Sequence, residues 1–414
     1  MNRLRRVGAD QRIGDRRSAV DAATLMQAAT IVEDVRSRGE AAVRQHSERF
    51  GDLSPGDPIV LDRSFLDAAL DRLDPSTREL LERVAMRIRG FAREQRACLL
   101  DLDTGVAGGR AGHRWLPITA AGAYAPGGRY PLPSSVLMTV IPARIADVDH
   151  VWVASPRPTL VTLAAAAVAD ADGLLAVGGA QAIAALAFGT FSPPSDVVVG
   201  PGNRWVTAAK KHLYGEVGID GLAGPSEIVV VADETADPHL VAADLLAQAE
   251  HDPDALPILV TDSPEKLDEV ERTINAALAS LPTADVATPA LDGGYAVVIG
   301  DMEEAVTLCD RIAPEHLALH VANPDVMAER LTSYGSLFIG DTSAEVFADY
   351  GAGPNHVLPT DGGARFQSGL SVLTFLKAPT WLALSDPAAT AEDAAHLARL
   401  EGLEAHARAA ELRM

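Results

Sequence analysis

From about residue 115 onward, short apolar runs alternate with segments of helical spacing. The apolar runs are bounded by Gly, Pro or Asp and predict strands at 148–154, 173–177, 196–199, 227–231, 257–260, 295–299, 317–321 and 336–339. The segments between them predict helices at 160–171, 180–188, 203–213, 238–251, 264–281, 302–312 and 325–334. Because parallel strands need long crossover connections, this alternation favours parallel sheets with helices on both faces.

The predicted strands could form one large sheet or two smaller ones. A break in the pattern near 235–255 favours two halves, so we expect an α/β protein with two Rossmann-like parallel-sheet domains, at 115–235 and 236–380. Helical spacing at 16–50, 63–73 and 76–98 predicts an N-terminal helical region, 1–114, which we expect to pack with the second α/β unit. From about 388 the pattern is helical again and predicts a C-terminal helical tail, 381–414.

Charge and cysteine content exclude several classes of function. The 414 residues include 35 Lys and Arg against 57 Asp and Glu, a net charge of −22, which disfavours nucleic acid and anionic membranes as partners. Two cysteines cannot build a disulfide framework or a Cys-rich zinc site. No signal peptide or membrane-spanning pattern is present, because the most apolar stretch, 174–191, is short and interrupted by glycines. We therefore expect a cytoplasmic enzyme.

Short local motifs are weak on their own. No complete G-x-G-x-x-G occurs, so the pattern alone does not predict a dinucleotide site. Gly-rich turns follow several predicted strands, at 126–128, 178–179, 200–203 and 224–226. Ligands of open α/β sheets bind at such turns, beyond the carboxyl ends of the strands. Ordinary tight turns have the same composition.

Two pairs of polar residues could perform chemistry. Gln248 and His251 are spaced i, i+3 near the end of a predicted helix, where they could converge on zinc or simply be solvated. Glu315 and His316 are a plausible acid–base pair before a predicted strand. Since adjacent strand residues point to opposite faces, both reach one site only if a turn bends the backbone.

Longer motifs, in the order of a known family, resemble histidinol dehydrogenases over nearly the whole chain. The motifs are Ala121-Gly-Ala-Tyr-Ala-Pro-Gly-Gly128, Pro133-Ser-Ser-Val-Leu-Met138, Gly178-Gly-Ala-Gln181, Gly200-Pro-Gly-Asn203, Ala223-Gly-Pro-Ser-Glu227, Asp244-Leu-Leu-Ala-Gln-Ala-Glu-His251, Pro314-Glu-His-Leu317, Gly353-Pro-Asn-His-Val-Leu-Pro-Thr360 and Glu401-Gly-Leu-Glu-Ala-His406. Such long motifs are far more specific than the short patterns above.

The resemblance implies oxidation of L-histidinol to L-histidine through a bound aldehyde, with two NAD and one water, in histidine biosynthesis. It implies one zinc ion per subunit, with the ligands Gln248, His251, Asp349 and His406. His316 would be the base for the alcohol proton, and Glu315 would activate water. The implied substrate contacts are Ser226, Gln248, His251, His316, Asp349, Glu401 and His406, and the implied NAD contacts are Tyr124, Gln181 and Asn203.

The family resemblance also implies a homodimer in which the tail brings Glu401 and His406 to the site of the other subunit. The tail helix supports this expectation, because its apolar residues need a surface to pack against. Cys98 and Cys309 lie outside every motif, so a water-based oxidation of the aldehyde is expected rather than a thiol-based one.

Three alternatives remain open at this point. Arg129-Tyr130-Pro131 also resembles relatives that oxidise sulfonated diols, so a paralogue that acts on another small polar alcohol is the second interpretation. The 353–360 motif, Glu401 and His406 favour the histidinol branch. The proposed metal residues alone are also compatible with a zinc hydrolase that uses Glu315 as its base. A non-catalytic binding protein is disfavoured, because every catalytic candidate is present.

Overall fold

Two six-stranded sheets organise the described part of the chain, a three-stranded sheet carries the C-terminal tail, and a two-stranded sheet pairs residues 116–117 with 376–377. The computed structural model describes residues 4–8, 20–127 and 131–414. Arg129 and Tyr130, which belong to the motif shared with the diol-oxidising relatives, lie outside these residues, as does the start of the helix expected at 16–50.

The strands of the described residues are β1 Arg5–Val7, β2 Val60–Asp62, β3 Leu102–Val106, β4 Gly109–His113, β5 Leu116–Pro117, β6 Ala120–Tyr124, β7 His150–Ala154, β8 Gly173–Leu175, β9 Val197–Val199, β10 Gly218–Ile219, β11 Glu227–Ala232, β12 Leu256–Thr261, β13 Tyr295–Val298, β14 His316–His320, β15 Ser336–Ile339, β16 Leu376–Lys377 and β17 Thr380–Leu384.

The helices are α1 Ala22–Arg38, α2 Glu40–Arg49, α3 Arg63–Asp71, α4 Pro75–Ala97, α5 Pro133–Ile145, α6 Leu160–Ala169, α7 Gly179–Phe188, α8 Arg204–Leu213, α9 Pro238–Ala249, α10 Pro264–Leu278, α11 Ala284–Gly293, α12 Met302–Ile312, α13 Pro324–Ala328, α14 Glu345–Asp349, α15 Ala388–Leu400 and α16 Glu404–Glu411. Two short 3-10 helices cover Gly363–Arg365 and Val372–Phe375.

The first sheet has the strand order β10-β9-β6-β7-β8-β2. Its pairings are parallel, except that β2 runs antiparallel to β8. The central strand β6 is built from small residues, because a Cβ on Gly122 would lie 2.9 Å from the Leu186 side chain. The sequence pattern did not predict β6, since it lacks the β-branched and aromatic residues typical of strands.

The second sheet has the order β1-β13-β12-β11-β14-β15, and all its pairings are parallel. Residues of α9, α10 and α11 pack on one face, and residues of α12 and α13 pack on the other. Along β14 the side chains alternate, so Ala318 faces α9 while Leu317 and Leu319 face α12. This alternation places His316 and His320 on the α9 face.

All eight predicted strands are present, in two sheets rather than one. The expected boundary at 235 is wrong by one strand, because β11 precedes it and pairs with β12 and β14 of the second sheet. The chain therefore crosses between the sheets at 220–226, before β11.

The N-terminal helices do not pack as expected. Buried residues of α1 to α4, such as Val32 and Ile88, belong to the same hydrophobic core as the first sheet and its helices. Among the described residues of the region 1–114, only β1 joins the second sheet, where it pairs with β13. The expectation that the region 1–114 packs with the second α/β unit is therefore wrong for its helices, because their apolar faces are buried against α5 to α8.

The C-terminal tail extends from the small sheet β17-β4-β3. Helices α15 and α16 pack on each other around Ala395, Ala398 and Ala407. Leu397, Leu400 and Leu403 are 59%, 75% and 44% exposed. Among the described residues, no helix is both long and apolar enough to cross a membrane.

Candidate active site at the amino edge of the second sheet

The amino ends of β11 and β14 carry a pair of buried glutamates. The backbone N–H of Glu227 donates to the Glu315 carboxylate (3.0 Å), and the backbone N–H of Glu315 donates to the Glu227 carboxylate (3.3 Å). Burial raises the pKa of Glu315 well above its usual range and raises the pKa of Glu227 to about 7. This reciprocal pairing fixes the Glu315 carboxyl at the start of β14.

His316 lies beside this pair, and Glu315 and His316 face one site. The Glu315 carboxylate is 3.7 Å from His316 Nδ1, although the two residues are adjacent. The backbone permits this because Glu315 precedes the first residue of β14, after the left-handed Ala313 (φ 51°). The bend that the sequence argument required is therefore present.

Hydrogen-bond acceptors surround one ring nitrogen of His316. The Glu227 carbonyl oxygen and the Gln248 Oε1 atom each lie 3.2 Å from Nδ1. Since a carbonyl oxygen can only accept, Nδ1 carries the proton and the lone pair is on Nε2. Burial lowers the pKa of His316 to about 4, so the ring is neutral near pH 7.

Three residues near His316 could hold a metal ion. One ligand atom from each of His251, Glu345 and Asp349 lies within 4.8 Å of the other two. His251 follows the end of α9 and is partly exposed, and its Nε2 atom is 3.6 Å from Asp349 Oδ2. An imidazole with carboxylates is a common donor set for zinc.

Gln248 lies at the end of α9, fully buried next to this cluster. Its Oε1 atom faces His316, and its Nε2 atom is buried without a hydrogen-bond partner among the described residues. Buried polar groups are nearly always paired, so an unpaired amide beside a His-carboxylate cluster fits a site that is completed by a bound group.

Glu345 is a site residue that the sequence analysis missed. It opens α14 one turn before Asp349, is 1% exposed, and neither carboxyl oxygen has a hydrogen-bond partner among the described residues. One oxygen is 3.5 Å from His316 Nδ1. Burial raises the pKa of Glu345 well above its usual range. Its i, i+4 spacing to Asp349 was the available signal, since this spacing puts both carboxyls on one face of a helix.

Three of the predicted substrate or metal residues lie outside this cluster. Ser226 immediately precedes Glu227 and β11, at the same edge of the sheet. Glu401 caps the end of α15 and His406 lies in α16, both exposed on the tail. The structure of one chain thus brings together Gln248, His251, Glu315, His316 and Asp349, and leaves Glu401 and His406 on a separate element.

The predicted NAD residues lie near the carboxyl ends of strands in the first sheet, whereas Glu227 and Glu315 lie at the amino ends of strands in the second. Tyr124 ends β6, and its hydroxyl accepts from the Gly179 N–H (3.4 Å). Gln181 Nε2 donates to Asp52 (3.3 Å), which also accepts from the Gly178 N–H (3.0 Å). Asn203 caps α8 by accepting from the backbone N–H groups of residues 205 and 206. Tyr124 contacts Gly179 through its hydroxyl and lies against Gly200 through its backbone. The turns at 178–179 and 200–203 are therefore close to one another.

A buried ion pair holds the second of these turns. Lys210 and Asp220, each 4% exposed at the side chain, contact each other. Asp220 accepts from the Gly200 N–H (2.6 Å), and Lys210 donates to the Gly200 carbonyl oxygen (3.1 Å). Position 200 requires glycine, because a Cβ there would lie 2.0 Å from the Tyr124 carbonyl oxygen.

One loop connects the two edges. His356 Nδ1 contacts the backbone oxygen of Asp349 (3.1 Å), and its Nε2 atom contacts the Ser135 hydroxyl of α5 (3.4 Å). The Asn355 side chain donates to the Met138 carbonyl oxygen of the same helix (2.7 Å). The loop after Asp349 is therefore attached to the helix that follows β6.

Neither cysteine is placed for covalent chemistry at this site. Cys98 caps the exposed end of α4, and Cys309 is buried in α12 within the core of the second sheet. Burial raises the pKa of the Cys309 thiol.

Comparison with known proteins identifies the family of this chain. The sequence profile of the family described as histidinol dehydrogenase matches residues 15–414. A histidinol dehydrogenase of Thermus thermophilus is 47% identical over 92% of this chain and 93% of its own length. One of Pseudomonas putida is 43% identical over 96% of this chain and 92% of its own length.

A solved structure shares the whole fold. The crystal structure of histidinol dehydrogenase from Elizabethkingia anophelis superposes with a TM-score of 0.92, at 30% identity, over 100% of this chain and 98% of that one. The chain therefore belongs to the histidinol dehydrogenase family of NAD-dependent oxidoreductases.

Proposed function

We propose that this protein oxidises L-histidinol to L-histidine through a bound aldehyde, with two NAD and one water, in the last steps of histidine biosynthesis in the cytoplasm. Family membership supports the substrate and the cofactor. The observation that carries the proposal is the convergence of an acid–base pair, Glu315 and His316, with the metal-ligating side chains Gln248, His251 and Asp349 at one edge of the second sheet.

The metal residues fit one zinc ion per subunit. Gln248 through its Oε1 atom, His251 and Asp349 would hold it, together with His406 from a second subunit, and the 3.6 Å between His251 Nε2 and Asp349 Oδ2 supports this donor set. A neutral amide and a single Asp leave such a site with net positive charge. When bound, zinc would orient the substrate by holding the imidazole and amine nitrogens of histidinol.

His316 is suited to take the proton of the alcohol. Its Nδ1–H is held by the Glu227 carbonyl oxygen, which leaves a free lone pair on Nε2. Burial keeps the ring neutral, which a base requires before the step. NAD, when bound, would supply the hydride acceptor for both oxidations.

Glu315 is suited to activate the water that hydrates the aldehyde. Its carboxyl is held at one oxygen by the Glu227 N–H, and its raised pKa makes it a stronger base than an ordinary glutamate. Removal of a proton from water lets the water oxygen bond to the aldehyde carbon while the carbonyl oxygen takes up a proton, which gives the hydrate. The C–H bond of the hydrate would then supply the second hydride. Ser226 would contact the substrate from the neighbouring strand.

The division of labour between the sheets is part of the same proposal. Each sheet with its helices would form one Rossmann-like domain, the first for NAD through Tyr124, Gln181 and Asn203, and the second for zinc and histidinol. The loop that holds His356 against Ser135 would keep the two sites adjacent.

The proposed homodimer explains why the tail is separate from the site. The tail helices bury few residues on their own chain and expose Leu397, Leu400 and Leu403. If a second subunit covers these leucines, Glu401 and His406 can complete that subunit's site. Each active site would then contain residues from both chains.

NADH formation tests the proposed function. The zinc-loaded protein is incubated with NAD and histidinol, histidinaldehyde or a sulfonated diol, and NADH absorbance is followed. We expect NADH from the first two substrates, with about two NADH for each histidinol consumed. NADH from the diol alone would favour the paralogue, and no NADH from any substrate would reject the proposal.

A further inference from the structure

Helix α9 contacts β14 through two successive pairs of polar side chains. Gln248 and Asp244 lie one turn apart on the buried side of α9, and His316 and His320 lie four residues apart on the α9 face of β14. Gln248 Oε1 is 3.2 Å from His316 Nδ1, and Asp244 Oδ2 is 2.8 Å from His320 Nε2. The second pair therefore lies one helical turn from the first.

A third element joins the second pair. The other ring nitrogen of His320, Nδ1, is 3.0 Å from Asp341 Oδ1. Asp341 follows β15 and precedes α14, which carries Glu345 and Asp349. One imidazole thus connects the strand of the proposed base, the helix of Gln248 and the segment that leads to Asp349.

The contacts define the charge of this imidazole. Carboxylates accept hydrogen bonds at both ring nitrogens, so both nitrogens must carry protons and the ring is an imidazolium. Burial opposes the charged form most strongly, but the hydrogen bonds and negative charges of Asp244 and Asp341 together outweigh it, so the pKa of His320 is raised. The positive ring also offsets Asp244, whose negative charge acts on the buried Glu345.

A metal ion between these groups is not compatible with this arrangement. The carboxylates lie on opposite nitrogens of one ring, so no single position is adjacent to both. His320 is 2% exposed and Asp244 is 7% exposed, which leaves little access for a ligand. The cluster is therefore internal to the protein, and its effect must act through the elements that it connects.

We propose that His320 is a positioning residue of the zinc site, which as an imidazolium fixes α9 and the segment before α14 against β14 and so sets the spacing of Gln248 and His251 from Asp349. This inference rests on the proposed zinc site. Removal of a group that hydrogen-bonds a metal ligand commonly lowers metal affinity by 10- to 100-fold, and His320 acts one contact further from the ligands, so we expect the lower end of this range.

The test measures zinc affinity in His320→Gln by competition with a chromophoric chelator. We expect affinity to fall by about 10-fold or more, because Gln cannot donate to both carboxylates. The visible spectrum of the cobalt-substituted protein should change as well, since it reports ligand geometry. The double variant His320→Gln/Asp244→Asn should recover about threefold of the loss, because the uncompensated buried carboxylate is removed.

His46→Gln is the matched control. His46 pairs with Asp34 at 2.8 Å in the N-terminal helices, far along the chain from the second sheet. Its loss should leave zinc affinity and the cobalt spectrum unchanged. An equal loss in this control, or His320→Gln affinity within about twofold of wild type, would overturn the proposal.

Two further outcomes are decisive. If His320→Gln does not fold, Asp341→Asn takes its place, since Asp341 is half exposed. A loss of about threefold supports the proposal and unchanged affinity overturns it. A wild-type protein that takes up no zinc would reject the zinc site itself, and the role of His320 with it.

Discussion

The two sheet edges that carry the predicted site residues differ in how far the protein satisfies its own polar groups. At the first sheet, Tyr124 and Asn203 have hydrogen-bond partners, and Gln181 donates to Asp52 although its Oε1 is unpaired. At the second sheet, both Glu345 oxygens and the Gln248 amide nitrogen are buried without a hydrogen-bond partner among the described residues. The first edge is mostly a preformed scaffold, although the Ser155 hydroxyl beyond β7 is also unpaired among those residues. The second edge leaves a whole carboxyl unpaired, which indicates a site that needs a bound group.

The two edges also lie at opposite ends of their strands. The turns near Tyr124, Gly178 and Gly200 follow the carboxyl ends of parallel strands, where ligands of open α/β sheets commonly bind. Glu227 and Glu315 lie at the amino ends of β11 and β14. A rule based on strand ends therefore predicts the proposed NAD site and misses the proposed zinc site, which depends on side chains rather than on helix N-termini.

The largest expected difference between the two edges follows metal removal. Chelation should abolish turnover, because the second edge loses the proposed ion, while far-UV circular dichroism stays native. NADH binding, measured by fluorescence, should stay within about twofold, because the first edge is held by the protein itself. Unfolding on chelation, or loss of NADH binding, would remove the distinction between the edges.

Within the second edge, His316→Asn and Glu315→Gln should fail at different steps. Loss of His316 should slow the histidinol half-reaction by about 10²- to 10⁴-fold. Glu315→Gln should impair mainly the oxidation of the aldehyde, because water is needed only there. Single-turnover assays with histidinol and with histidinaldehyde distinguish the two steps, and equal losses in both variants would refute this assignment.

Glu345→Gln should stabilise the metal-free protein at high pH. The folded-state pKa of Glu345 is raised above 4.5, so its contribution to stability is lost as pH rises from the unfolded pKa through the folded pKa. The variant lacks this loss, and its advantage in unfolding free energy should grow by up to about 1.4 kcal/mol per pH unit in that window. Denaturant titrations at several pH values measure it. A pH-independent difference would contradict the buried, unpaired state of Glu345.

The smallest effect is expected at the first edge. Asn203→Ala removes the cap of α8 and should lower the free energy of unfolding by about 1 kcal/mol. Asn203→Ser keeps a capping oxygen and is the matched control. If Asn203 only binds NAD, its removal would leave stability unchanged, and the first edge would not be a preformed scaffold.

The periodic part of the fold could be predicted from the sequence. β11 is apolar and β-branched, and the interior of β14 is apolar, so their patterns were clear. β6 was missed because its small residues are required by the close approach of Leu186, which only the fold shows. Helix 16–50 was predicted as one element, but Gly39 (φ 55°) separates α1 from α2.

The candidate site was only partly predictable. Motifs pointed to Gln248, His251 and Asp349, whose proximity depends on the order of strands in the second sheet. Glu345 belonged to no motif, and its importance arises from burial without a partner. The pairing of His320 with Asp244 and Asp341 joins segments far apart in sequence, so no local pattern could indicate it.

The central claim is that one subunit carries an incomplete zinc site, which the tail of another subunit completes. Mixing His406→Ala with His251→Ala subunits tests it directly, because each variant is expected to be inactive alone. With a shared site, each heterodimer has one site with both lesions and one with neither, so up to about a quarter of wild-type activity should return after subunit exchange. No recovery despite demonstrated exchange would place the tail in its own subunit's site and contradict the account.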